Sequence, residues 1–119
     1  MPEGYRQKLG AYGERLAEDF FHRRHYITIG KNFRTRDGEI DLIVKNGSEL
    51  LFVEVKTRMS DAYGYPENAV DFRKLSRLHQ TINTYLSQKS WKGYWRLDII
   101  SIEISRQDKK AKVVWFKGI

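Results

Sequence analysis

Apolar and polar positions are most sharply ordered between residues 38 and 58, Gly-Glu-Ile-Asp-Leu-Ile-Val-Lys-Asn-Gly-Ser-Glu-Leu-Leu-Phe-Val-Glu-Val-Lys-Thr-Arg. Ile40 to Lys45 and Leu50 to Lys56 are rich in aliphatic and β-branched residues and read as two strands. Asn46-Gly47-Ser48 between them is turn chemistry: Asn-Gly suits a type I′ turn and Gly-Ser a type II′ turn. The two registers differ by two residues and leave the same side chains on the same face. One face of this hairpin carries Ile40, Leu42, Val44, Leu51, Val53 and Val55 and is expected to be buried. The other carries Glu39, Asp41, Ile43, Phe52, Glu54 and Lys56, apolar near the turn and ionisable at the open end.

The flanking patterns complete the domain. Leu9, Gly13, Leu16, Ala17, Phe20 and Phe21 recur at helical spacing, which predicts a helix over residues 5–24. Glu14 shares a line with Gly10, Ala17 and Phe21 at the edge of that stripe, and the small Gly10 and Ala17 would let the helix approach a sheet closely. Residues 26–33 read as a strand, followed by a polar turn over 34–38. A second helix starts at Pro66 or Asp71 and runs to about Gln88, with Leu75, Leu78, Ile82, Tyr85 and Leu86 on its buried side. Tyr94 to Ile104 and Val113 to Lys117 read as two more strands, the last at an edge. Arg96 and Asp98 share a face with Ile100 and Ile102 and are expected to pair and organise the sheet. Trp91, Trp95 and Trp115 are expected to pack or shield that side. The order αβββαββ predicts one α/β domain over residues 1–119, a central mixed β-sheet flanked by helices.

Composition narrows the function classes. The chain has 119 residues, 40% of them hydrophobic, enough for one modest core. It has no cysteine, so neither a disulfide framework nor a thiolate metal site is available. No run approaches the roughly 18 apolar residues of a membrane span, and the opening residues lack an apolar signal region. A cytoplasmic protein is the natural expectation. His22, His25 and His79 have no mutual ligand spacing. The net charge of +7 and pI near 9.7 favour a polyanionic partner.

The open end of the hairpin is the candidate site. Glu39, Asp41, Glu54 and Lys56 meet there beside a row of apolar residues. Charge at such a place must be paired or must hold a metal. One reading is a salt-bridge network in which Lys56 neutralises Glu54. The other is a catalytic centre, since clustered ionisable groups in an apolar setting mark sites. Two carboxylates on adjacent strands suit one Mg²⁺ or Mn²⁺ ion, completed by water and phosphate oxygens. Lys56 projects from the same face as Glu54 and could hold or deprotonate an attacking water, or neutralise charge developing on phosphorus.

Asp41 followed by Glu54-Val55-Lys56 resembles the PD-(D/E)xK, or restriction endonuclease-like, nuclease superfamily, with Ile40 in place of the proline of its name. More narrowly, Gly13-Glu14, Asn32-Phe33-Arg34, Gly38 to Ile43, Phe52 to Arg58 and Arg96-Leu97-Asp98 resemble the bacterial YraN-type family, which is similar to archaeal Holliday junction resolvases. The likeness covers nearly the whole chain, and Glu54-Val55-Lys56-Thr57-Arg58 is its most specific part. It implies a restriction endonuclease-like fold and site residues Glu14, Asp41, Glu54 and Lys56, with the Val55 carbonyl as an added metal ligand. It also implies a homodimer.

The expectation is therefore a metal-dependent DNA endonuclease acting on branched DNA, junction or flap, in repair or recombination. The alternatives are a DNA-binding accessory protein with an inactive site, and an RNA nuclease. Outside the quartet, Arg58, Lys74, Arg34 and Arg77 are candidate phosphate contacts, each equally readable as a solvated surface charge. Tyr63 and Tyr65, in the loop after Arg58, are candidates for base stacking or for a small loop core.

Overall fold

In a computed structural model, residues 3–60 and 72–119 are described, except for the side chains of Glu3 and Arg6. Tyr63, Tyr65 and the two proposed helix starts at Pro66 and Asp71 lie outside them. The elements run α1 (Glu3–His22), β1 (Ile27–Thr35), β2 (Gly38–Asn46), β3 (Glu49–Met59), α2 (Phe72–Lys89), β4 (Tyr94–Ile104) and β5 (Ala111–Phe116). This is the predicted order, and it is consistent with a restriction endonuclease-like arrangement.

The strands form a single sheet in the order β1-β2-β3-β4-β5. Only β3 and β4 are parallel, joined through α2; the other neighbours are antiparallel. The central hairpin closes on the pair Asn46 and Glu49, with Gly47-Ser48 as the loop. Gly47 has φ +57° while Ser48 stays out of the left-handed region, so the Gly-Ser alternative is the one adopted. The last strand lies at an edge, as its short charged flanks suggest.

Each face buries one helix. On one side Ala17, Phe21 and Tyr26 meet Leu42, Val44, Leu51, Val53, Ile100 and Ile102. On the other, Leu78, Ile82 and Tyr85 of α2 cover Ile40, Ile43, Leu50, Phe52 and Leu97. Two expectations fail. The tryptophans divide: Trp115 packs edge-on against Phe20, Phe21 and Tyr26 beside α1, whereas Trp91 and Trp95 pack on the α2 side. Ile40 also belongs to the α2 side, not to the face of Leu42.

The misplaced Ile40 has a backbone cause. Lys31 pairs with Leu42, and Phe33 pairs with Ile40. Lys31 and Leu42 look to α1, where Lys31 meets Glu18 at 3.0 Å. Phe33 and Ile40 look to α2, where Phe33 stacks edge-on against Tyr85. The ladder therefore turns over at the Asn32–Asp41 level. Asn32 has φ +51°, a left-handed conformation that a short polar side chain tolerates and that breaks strict alternation.

Arg96 and Asp98 pair as expected. Asp98 is fully buried and accepts from Arg96 Nε and Nη2 (2.7 and 2.8 Å), Trp115 Nε1 (2.8 Å) and the Gly118 amide (2.9 Å). Its bonding capacity is filled by Arg96 on its own strand and by contacts to β5 and the C-terminal segment, which makes it a structural anchor.

Candidate active site

The site lies where the central hairpin comes apart. β2 and β3 pair from Asn46/Glu49 to Leu42/Val53. Beyond that point β2 keeps only β1, through Ile40, Glu39 and Gly38, and β3 keeps only β4, from Glu54 to Met59. Asp41 sits in the fork. Its Oδ2 accepts the Val55 N–H at 2.8 Å, so a side chain replaces the next rung of the ladder. The N–H and C=O of one strand residue point to the same edge, so the Val55 carbonyl also faces this gap.

Both helices converge on the fork. Gly13 in α1 packs directly on Thr57 of β3; an added Cβ would overlap Thr57 Oγ1 and lie 2.7 Å from Thr57 Cβ. That close approach brings the adjacent Glu14 toward the open strand ends. Of the two small residues expected to allow the approach, Ala17 is fully buried against the sheet, but an added Cβ at Gly10 would meet nothing within 4 Å, and the tight contact falls to Gly13. On the other face, Gly38 seats the β1–β2 turn under α2, where an added Cβ would lie 3.3 Å from Thr81 Oγ1 and 3.8 Å from Arg77 Cβ. The result is an open cleft of about 420 Å³ lined by Asp37, Gly38, Glu39, Asp41, Glu54, Lys74, Arg77 and Leu78.

The electrostatics are uneven. Glu54 is buried, and its Oε1 receives two ammoniums, Lys74 Nζ at 3.1 Å and Lys56 Nζ at 3.4 Å. Asp41 has no ion-pair partner among the described residues. Burial raises its carboxyl to about 7, helped by the charges of Glu54, Glu14 and Glu39 and opposed by the Val55 hydrogen bond. Lys56 is pushed below its ordinary value, first by burial and then by its contact with the Lys74 ammonium.

Asp41, Glu54 and Lys56 are thus brought together, and Glu14 is near enough for its charge to act on Asp41. Among the described residues no three His, Cys, Asp or Glu side chains gather into a metal cage. A divalent cation here would take Asp41, Glu54 and the Val55 carbonyl, and fill its shell with water and phosphate oxygens. That donor set fits Mg²⁺, which keeps several waters and uses one or two carboxylates. The uncompensated Asp41 is the observation that favours a cation.

The outer candidates are placed differently. Lys74, expected as a phosphate contact, reaches inward to Glu54. Arg77 lines the cleft from the exposed side of α2. Arg34 is exposed and 3.5 Å from Glu39 at the cleft's edge. Arg58 follows Lys56 on the same strand face and approaches Glu103 of β4 at 3.8 Å. Sequence reasoning missed Asp37 as a lining residue, the pairing of Gly13 with Thr57, and the turning role of Asn32. Only Asn32 carried a usable signal, a turn-forming residue within a strand pattern.

Residues 13–102 match the model of the family described as Uncharacterised protein family UPF0102. A UPF0102 protein of Clostridium acetobutylicum is 40% identical over 103 residues, covering 86% of this chain and 84% of its own. One from Clostridium botulinum (strain Kyoto / Type A2) is 37% identical over 112 residues, covering 92% and 91%. Another, from Clostridium botulinum (strain 657 / Type Ba4), is 38% identical over the same length. The chain belongs to the UPF0102 family.

Proposed function

We propose that this UPF0102 chain is a divalent-metal-dependent endodeoxyribonuclease with a site of the PD-(D/E)xK kind, acting on branched DNA as a homodimer in the cytoplasm. The observation that carries this reading is the fork between β2 and β3. It sets Asp41, partly buried and without an ion-pair partner among the described residues, beside Glu54 and a lysine with a depressed pKa, in a cleft open to solvent.

Asp41, Glu54 and the Val55 carbonyl would hold Mg²⁺ or Mn²⁺, which would supply Lewis-acid stabilisation of charge on the phosphoryl oxygens. Lys56, in its neutral form, orients the attacking water and takes up its proton at Nζ. The water oxygen bonds to phosphorus as the P–O3′ bond breaks, and the leaving O3′ takes a proton from solvent water, giving a 3′-hydroxyl and a 5′-phosphate. Glu14 acts from α1 by ordering water in the gap. Arg34, Arg58 and Arg77 attract the backbone that the carboxylates alone would repel, in keeping with the +7 net charge. Among the described residues no helix is long and apolar enough to cross a membrane.

The double ammonium on Glu54 favours a second reading, a DNA-binding accessory protein whose acids serve only a salt-bridge network. Calorimetric titration with Mn²⁺ separates the two. Saturable binding that is lost in Asp41→Ala supports the nuclease; no binding, with salt-sensitive DNA affinity retained, supports the accessory role. Parallel labelled substrates (four-way junction, flap, plain duplex, single-stranded DNA and RNA) test the choice of branched DNA and separate an RNA nuclease.

A further inference from the structure

Two ammoniums meet Glu54, while Asp41 has no ion-pair partner among the described residues, and one of the two comes from a different element. Lys56 is the strand neighbour that any Glu-x-Lys motif provides. Lys74 comes from the first turn of α2 and sits closer, 3.1 Å against 3.4 Å, on the same carboxylate oxygen. Its side chain is a third exposed, whereas that of Glu54 is one tenth exposed. An ammonium that lines the cleft and touches a proposed ligand from the solvent side stands where an incoming cation must arrive.

We propose that Lys74 is a resident counter-cation for Glu54 that a divalent cation displaces, so that metal entry releases Lys74 to a phosphate group of the substrate. This rests on the reading of Asp41 and Glu54 as metal ligands. The electrostatic logic is simple. Glu54 cannot be buried uncompensated in the metal-free protein, and Lys74 supplies the charge. Once a cation occupies the fork, an ammonium on the same oxygen repels it and moves outward. Lys74 reaches the carboxylate from the lining of the cleft and is the more exposed of the two lysines, a third against a fifth. Metal-free protein would then bind metal weakly, and a polyanion that draws Lys74 away would strengthen that binding by the same factor that metal strengthens polyanion binding.

The test uses the full chain, Mn²⁺ alone and calorimetry, so it does not depend on turnover. Lys74→Gln is expected to tighten Mn²⁺ binding about tenfold, the scale of one charge-assisted contact. Lys74→Arg keeps the cation and should stay near wild type. Arg73→Gln removes one positive charge from the same turn without touching Glu54's known partners and should change the affinity by no more than about twofold, the size of a screened long-range effect. Thermal melts give a second readout: Lys74→Gln should melt below wild type without metal, and the difference should vanish at saturating Mn²⁺. Unchanged or weaker binding in Lys74→Gln overturns the inference, as does equal tightening in Arg73→Gln, and either leaves the nuclease reading standing. Failure of wild type and every variant to bind Mn²⁺ overturns the metal reading itself, and this inference with it.

Discussion

Replacing Asp41 by Asn removes a carboxylate that has no ion-pair partner among the described residues while keeping an acceptor for the Val55 N–H. Burial, then the charge of Glu54, raises the Asp41 carboxyl from 3.8 to about 7. The folded state therefore holds the proton more tightly than the unfolded chain does. The stability this contributes is fully present below about pH 4, where both states are protonated. It is lost as pH rises through about 7, where the native carboxylate finally ionises. Three units at about 1.4 kcal/mol each put the full cost on the order of 4 kcal/mol. Solvent in the open cleft reduces it to roughly 2–4 kcal/mol, or on the order of 10 °C in melting temperature. The assay is thermal melting of wild type and Asp41→Asn in chelator between about pH 4.5 and pH 8, a window set by the shift just described. The curves should nearly coincide at the acid end, and the variant should melt higher at the alkaline end. Saturating Mn²⁺ should raise wild type and leave Asp41→Asn unmoved. Parallel behaviour at every pH, or a less stable variant at pH 8, would refute the claim that its partly desolvated setting holds the Asp41 carboxyl high.

Further outcomes follow from other contacts. Gly13→Ala places a methyl group against Thr57 and should cost about 1–3 kcal/mol of stability, with Thr57→Gly recovering part of it in the double variant. Asp98→Asn takes from the Arg96 guanidinium its two-point carboxylate partner, leaving only Glu49 at 3.6 Å, and should cost roughly 1–3 kcal/mol by chemical denaturation. Arg34→Ala and Arg77→Ala should each weaken DNA binding and lower the slope of log affinity against log salt by about 1. A variant that weakens binding with no change in slope would place that arginine away from the phosphates.

Much of the fold was legible because local pattern and tertiary demand agree in it. The hairpin's β-branched runs, its Gly-Ser turn and the 3.6-residue stripe of α2 each specify one element and one buried face. Asp41, Glu54 and Lys56 could be grouped because hairpin geometry alone brings them near each other. Alternation failed at Ile40 because it assumes an unbroken ladder; a left-handed Asn32 and the fork at Asp41 turn the strand over. Gly13 was passed over for Gly10 because spacing shows which side of a helix faces a sheet, not which residue touches it. The contact of Lys74 with Glu54 was not legible, because the two lie 20 positions apart in the chain and only the β3–α2–β4 crossover brings them together. The tryptophans divided because Trp91 and Trp95 precede and open β4 on the α2 side, while Trp115 lies on β5 beside Asp98 and the α1 aromatics.

The most direct test of the nuclease reading is cleavage of a labelled four-way junction, beside plain duplex, with Mg²⁺ and with Mn²⁺. Wild type is run against Lys56→Ala and Asp41→Ala, each first shown by thermal melting to be folded. Metal-dependent cutting is expected in wild type, falling by about 10²–10⁴-fold in Lys56→Ala, while all three proteins retain salt-sensitive junction binding. Equal cutting by the folded variants, or metal-independent cutting, would contradict the assignment of the fork between β2 and β3 as the catalytic centre.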